Sequence, residues 1–143
     1  MDRALETGLR HRLRRALRRM EGQHLHLRPL FAELDEALRA GVVAELGERL
    51  TQVHGALSAH FELEESVLFP ALHGLSPRSL GDLTRLAEEH GAFLAELLHL
   101  AGPAGASQRV DAIPRLRAAL AEHEKREEHL LESFVSVGDA HGA

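Results

Sequence analysis

From Leu46 onward the chain sets Leu46, Leu50, Val53, Leu57, His60, Glu64 and Val67 at alternating steps of four and three. That spacing keeps to one face of an α-helix, the face turned toward a core. Two of the seven positions are a histidine and a glutamate, which are costly in a dry interior unless something pairs with them. His60 and Glu64 differ by about 400° of helix rotation, so they point within about 40° of each other. An isolated HxxxE arises easily by chance on a solvated helix. A second copy does not: Ile113, Leu116, Leu120, His123, Glu127, Leu130, Phe134 and Val137 repeat the rhythm, with the same polar pair inside it.

Two more segments complete the pattern. The first helix is expected over about Asp2 to Arg39, with Leu13, Leu17, Met20, His24, Leu27, Phe31, Leu34 and Leu38 inward. Gly22 should weaken it, Pro29 should kink it, and Gly41 should stop it. The second should run from about Val42 to His73, disturbed near Pro70 and capped by Gly74. Ser76-Pro77 reads as N-cap and first residue of a third helix reaching Ala101 through Leu83, Ala87, His90, Leu94 and Leu97. A loop over 102–107 precedes a fourth helix from near Asp111, with Pro114 in its first turn and a frayed tail over 138–143. Few β-branched residues and no Trp, Tyr or Cys accompany this helical periodicity. The fold class expected is all-α, an up-down-up-down antiparallel four-helix bundle forming one domain over 1–143. An open helical array, or a bundle completed by dimerisation, is the alternative.

In an antiparallel pair, residues equally far from the connecting turn share a level. His24 and His60 are about equally far from Gly41, Glu64 and His90 from Ser76, and His90 and His123 from Ala106. Each helix thus brings one histidine to a single layer, and the second and fourth add a glutamate. The separations His24–His60 and His90–His123, 36 and 33 residues, make each half a repeat of the other. Two divalent ions bridged by two carboxylates and capped by imidazoles would use all six side chains. Nitrogen and oxygen donors without thiolate suit iron, manganese or zinc. Iron is favoured because bridged di-iron centres recur in bundle cores.

With His24, His60, Glu64, His90, His123 and Glu127 in order as H…HxxxE…H…HxxxE, the chain resembles the hemerythrin-like (HHE cation-binding) domain family over roughly residues 10–137. His60-Phe61-Glu62-Leu63-Glu64-Glu65-Ser66-Val67-Leu68-Phe69-Pro70 is similar to that family's most recognisable segment. The resemblance implies a non-haem di-iron centre with oxo or hydroxo and carboxylate bridges. It also implies binding, sensing or reduction of dioxygen, peroxide or nitric oxide. Oxygen-carrying members have one more histidine on the third helix, a turn from its partner. Here those positions are Leu86 and Leu94, which favours a more reactive or sensory centre over a simple carrier.

Other polar residues have plainer readings. Glu65 and Glu128 lie about 100° off the stripe and are expected at the surface or holding a ligand from outside. His11, His26, His54, His73, His99, His129 and His141 are off-register and expected exposed. The five phenylalanines are expected to pack the core, with Phe93 near His90. Seven arginines in the first twenty residues could grip nucleic acid, but with no aromatic interleaving they read as a solvated helix face. No apolar run is long enough to span a membrane and no signal-peptide core is seen, so a cytoplasmic protein is expected, with a protein partner or homodimer left open. Iron storage would need paired ExxH motifs, and among the inward histidines only His24 completes one, as Glu21-Gly22-Gln23-His24. An iron- or redox-sensing interaction module is the stronger alternative.

Overall fold

The computed structural model describes residues 2–142, with side chains described over 2–134 except Ala106. All regular structure among these residues is helical. Helix α1 spans Arg3–Ala40, α2 Val43–Leu63, α3 Phe69–Leu75, α4 Leu80–Ala101 and α5 Ala106–Gly142. A π-helical turn, Glu64–Leu68, joins α2 to α3, so these elements form four rods. The rod of α2 and α3 packs against α1 and α4, and α4 packs against α5.

Local chemistry accounts for the ends. The Asp2 side chain accepts the Ala4 N–H at the start of α1. Gly41, at φ 69°, turns its N–H back to Ala37 and Leu38, ending α1 where expected. The helix continues through Gly22 and Pro29. Gly74 is not the cap expected of it, since α3 runs on to Leu75. A Cβ at Gly74 would stand 2.8 Å from Leu9 Cδ1, so its bareness admits a core leucine of α1. Ser76-Pro77 opens a 3-10 turn, Pro77–Ser79, rather than α4 itself, and the Ser76 side chain makes no cap bond.

The last connection is shorter than expected, because α5 begins at Ala106. Gln108 Oε1 accepts the Gly105 N–H at 3.2 Å, and Arg109 reaches back to the Leu100 and Ala101 carbonyls. Pro114 therefore lies inside α5, not in its first turn. The carbonyl it leaves without a donor is that of Val110, an exposed residue. Helix α5 runs on to Gly142, through the tail expected to fray over 138–143, while the inward role of Val137 concerns a side chain outside those described.

The core is two apolar clusters separated by a polar layer. One contains Leu27, Leu57, Phe61, Phe93 and Leu120, and the other Met20, Leu63, Leu68, Leu86 and, at its edge, Leu130. Each rod crosses from one cluster to the other at its histidine. Met20 precedes and Leu27 follows His24; Leu57 precedes and Leu63 follows His60. Leu86 and Phe93 flank His90, and Leu120 and Leu130 flank His123. The order of the clusters reverses from each rod to the next. Arg12, Arg14, Arg15, Arg18 and Arg19 are exposed along α1.

Candidate metal centre

A regular α-helix would send the Pro70 N–H to Ser66, but proline has no N–H, and its ring crowds that carbonyl. The chain widens instead. Phe69 N–H bonds to the Glu64 carbonyl, five residues back. The insertion shifts the stripe, so Leu68, fully buried, takes the inward place expected of Val67, which is half-buried. It also turns two consecutive glutamates toward one histidine of α4. Glu64 Oε1 is 3.6 Å from His90 Nε2, while Glu65 Oε2 is 3.2 Å from His90 Nδ1. Periodicity alone does not reveal this arrangement, although Pro70 was its signal.

Five of the six expected residues are buried: His60, Glu64, His90, His123 and Glu127. The two HxxxE pairs match closely, with His60 Nε2 3.2 Å from Glu64 Oε1 and His123 Nε2 3.2 Å from Glu127 Oε2. His90 Nε2 and His123 Nε2 stand 3.1 Å apart. His90, His123 and Glu127 form one group whose donor atoms could share a metal ion; His60, Glu64 and Glu127 form another. Glu127 belongs to both. His24 stands differently: half-buried, it packs its ring 4.7 Å from that of His60 and lies outside both groups. It lines a cleft of about 360 Å³ between α1 and α5, with Phe31, Arg117, Glu124 and Glu128 among its neighbours.

Each inner imidazole is gripped from behind. His60 Nδ1 donates to Gln23 Oε1 at 2.9 Å, His90 Nδ1 to Glu65 Oε2, and His123 Nδ1 to Glu89 Oε2 at 3.1 Å. Such outer acceptors fix the tautomer and leave Nε2 free to bind. Glu65 thus takes the outside role that its angle allowed. Gln23 and Glu89 were missed by the periodicity, although each immediately precedes a stripe histidine. Phe61 stacks on His90 at 3.9 Å between centroids, and Phe69 flanks its ring at 5.7 Å. Phe93, three residues beyond His90 on the same helix, meets His123 edge-on. Of the off-register histidines in the described region, His54 is half-buried and the others are exposed.

Burial, with the positive charges that His24 and His123 would carry, lowers His60 to a pKa of about 4. Burial, then His123 and His60, lowers His90 to about 3. Burial and neighbouring Glu128 raise Glu127 to about 8. Burial would raise Glu89 too, but hydrogen bonds from Arg126 and His123 outweigh it and hold this carboxyl below its usual range. Glu64 is fully buried, and neither oxygen has a hydrogen-bond partner. Neutral imidazoles, a carboxylate without donors and a shared second carboxylate fit a divalent cation of nitrogen–oxygen preference.

The family model of the hemerythrin HHE cation-binding domain matches residues 15–135. The chain belongs to this family. Comparisons with curated proteins and with solved structures gave no match. As an HHE domain it is a metal-cation-binding fold, and its buried His and Glu groups could hold a metal. No helix among the described residues is long and apolar enough to cross a membrane.

Proposed function

We propose that this HHE domain is a di-iron protein in which His24, His60, Glu64, His90, His123 and Glu127 would hold two iron ions, with Glu127 the carboxylate common to both groups of donors. The observation that carries this reading is the orphaned Glu64 carboxylate, fully buried within 3.6 Å of two imidazole nitrogens and without a donor to either oxygen. Such a group is costly to bury unless a cation satisfies it. Manganese or zinc would fit the same donors. Residues 1–143 are read as one domain of up-down-up-down antiparallel topology. The reversal of cluster order from rod to rod supports that reading.

Bound iron supplies redox chemistry toward a small oxidant: dioxygen, peroxide or nitric oxide. The chain's own residues set the conditions for it. Gln23, Glu65 and Glu89 keep the Nδ1 protons in place, so each Nε2 stays a bare donor. Phe61, Phe69 and Phe93 exclude water from the His90–His123 side. His24, half-buried at its cleft, is the least enclosed of the six. Reversible binding, sensing and reduction all begin at such a site.

Purification under mild conditions followed by metal analysis tests the reading. Aerobic loading with ferrous iron should give two irons per chain and near-ultraviolet ferric absorption that responds to peroxide or nitric oxide. Protein that takes up neither iron, manganese nor zinc would refute it.

A further inference from the structure

We infer that Glu89 and Arg126 together act as a positioning device for His123, an inference that rests on the metal reading above. Three side chains grip the inner histidines from outside, and Glu89 differs from the other two. Gln23 is a neutral amide, and Glu65 pairs with no Arg or Lys among the described residues. Glu89 receives both terminal nitrogens of Arg126, one on each carboxylate oxygen, while its Oε2 also accepts from His123 Nδ1. The chain of contacts runs Arg126, Glu89, His123, and ends at the Nε2 that faces His90 and Glu127.

The placement of these residues follows from the two helices. Glu89 adjoins His90 on α4, and Arg126 lies one turn beyond His123 on α5. The same two helices therefore meet twice at one level: inside through His90 and His123, outside through Glu89 and Arg126. Swinging the His123 ring would break its bond to Glu89, and releasing Glu89 would break a two-pronged ion pair. Stability does not account for this geometry. The Arg126 side chain is 49% exposed, and an ion pair so open to water adds little to folding. What the pair does achieve is a carboxylate held as an acceptor, in one orientation, against one imidazole nitrogen. The guanidinium fork is needed for this, because an ammonium cannot engage both oxygens in that plane.

The test compares Glu89→Gln and Arg126→Lys with Asp35→Asn, which removes a different clasp, Asp35–Arg117, between α1 and α5 at 3.0 Å. Zinc affinity is measured by chelator competition, and Co²⁺ is bound to record the visible ligand-field spectrum. Thermal midpoints are taken on the metal-free proteins. Glu89→Gln should weaken zinc binding about 10- to 100-fold and alter the Co²⁺ spectrum, the range typical of losing an outer partner. Arg126→Lys should fall in the same direction by less. Asp35→Asn should shift the thermal midpoint as much as either while leaving affinity and spectrum alone. Wild-type affinity and spectrum in Glu89→Gln and Arg126→Lys would overturn the inference and leave the metal reading standing. So would equal losses in Asp35→Asn, since the pair would then be a structural clasp only. Wild-type protein that binds neither metal would overturn both.

Discussion

His90 Nε2 and His123 Nε2 face each other at 3.1 Å in the centre of the bundle, and each ring meets a carboxylate at its other nitrogen. Glu65 and Glu89 accept at the two Nδ1 atoms, so the ring protons sit there and both Nε2 atoms present lone pairs. A proton between them is opposed by burial, which holds His90 at a pKa of about 3. A metal ion would satisfy both nitrogens without that cost. The contact between the rings and the orphaned Glu64 carboxylate thus express the same demand from two sides of one layer.

His123 and His24 should therefore differ sharply as ligands. His123→Ala removes a buried donor of the His90–His123–Glu127 group and should cost at least about 100-fold in affinity, beyond the loss of an outer partner. His24→Ala removes a half-buried residue outside both groups, and should leave one ion tightly bound while loosening the other. Metal counts per chain after gel filtration, with zinc competition, separate the two outcomes. Equal losses in both variants would contradict the difference.

Glu64→Leu should have opposite effects on the metal-free and metal-loaded forms. Removing a buried carboxylate that lacks donors relieves about 1–3 kcal/mol in the metal-free fold. That is a rise of roughly 3 °C or more in the thermal midpoint for a domain of this size. Metal uptake should fall to one ion or none. Calorimetric scans of the chelated wild type and variant, beside elemental analysis, check both signs. A lower midpoint in the metal-free variant would mean that the carboxylate is satisfied in solution.

Metal-free stability should peak near pH 6.5. His60 and His90 sit at about 4 and 3 in the fold against 6.5 when unfolded, so below 6.5 the unfolded chain takes protons that the fold rejects. Stability then falls with falling pH, by on the order of several kcal/mol in total as it approaches 4. Glu127 runs the other way. Its folded value of about 8 lies above the unfolded 4.5, so its contribution is complete below 4.5 and is lost as pH rises through 8. In the window from 4.5 to 6.5 the two histidines outweigh the one glutamate, and above 6.5 the glutamate prevails. Urea unfolding at pH 5, 6.5 and 8 should show the maximum, and Glu127→Gln should abolish the alkaline decline. A steady rise to pH 8 in the wild type would exclude this assignment.

The helical fold and the inner layer were legible because both depend on period. A histidine on a leucine stripe is buried whatever lies around it, and a partner four residues on must share its face. What period cannot convey is contact between helices at angles off the stripe. Gln23 and Glu89 each lie about 100° from the histidine that follows them, where a solvated residue is the ordinary outcome. Their roles depend on which rod stands beside them. The shift from Val67 to Leu68 escaped for a related reason: a π turn breaks the period that the stripe assumes. Glycine chemistry alone points to a cap at Gly74, whereas the space that Leu9 occupies against it is a tertiary fact.

Pro70 is the residue on which the two carboxylates of the π turn depend. With alanine at 70, an N–H becomes available to Ser66 and the crowding of that carbonyl ends, so Glu64–Leu68 can relax toward a regular α-helix. Exposed at its position, Pro70 contributes little packing, and the replacement should leave metal-free stability unchanged or raised. Relaxation rotates Glu64 and Glu65 relative to His90, and both the 3.6 Å and 3.2 Å contacts cannot persist at once. Pro70→Ala should thus weaken metal binding by about 10-fold or more, comparable to losing an outer ligand partner. Zinc competition and thermal unfolding of the metal-free protein measure the two effects separately. Unchanged affinity with raised stability would mean that packing against α4, rather than the proline, sets the π turn.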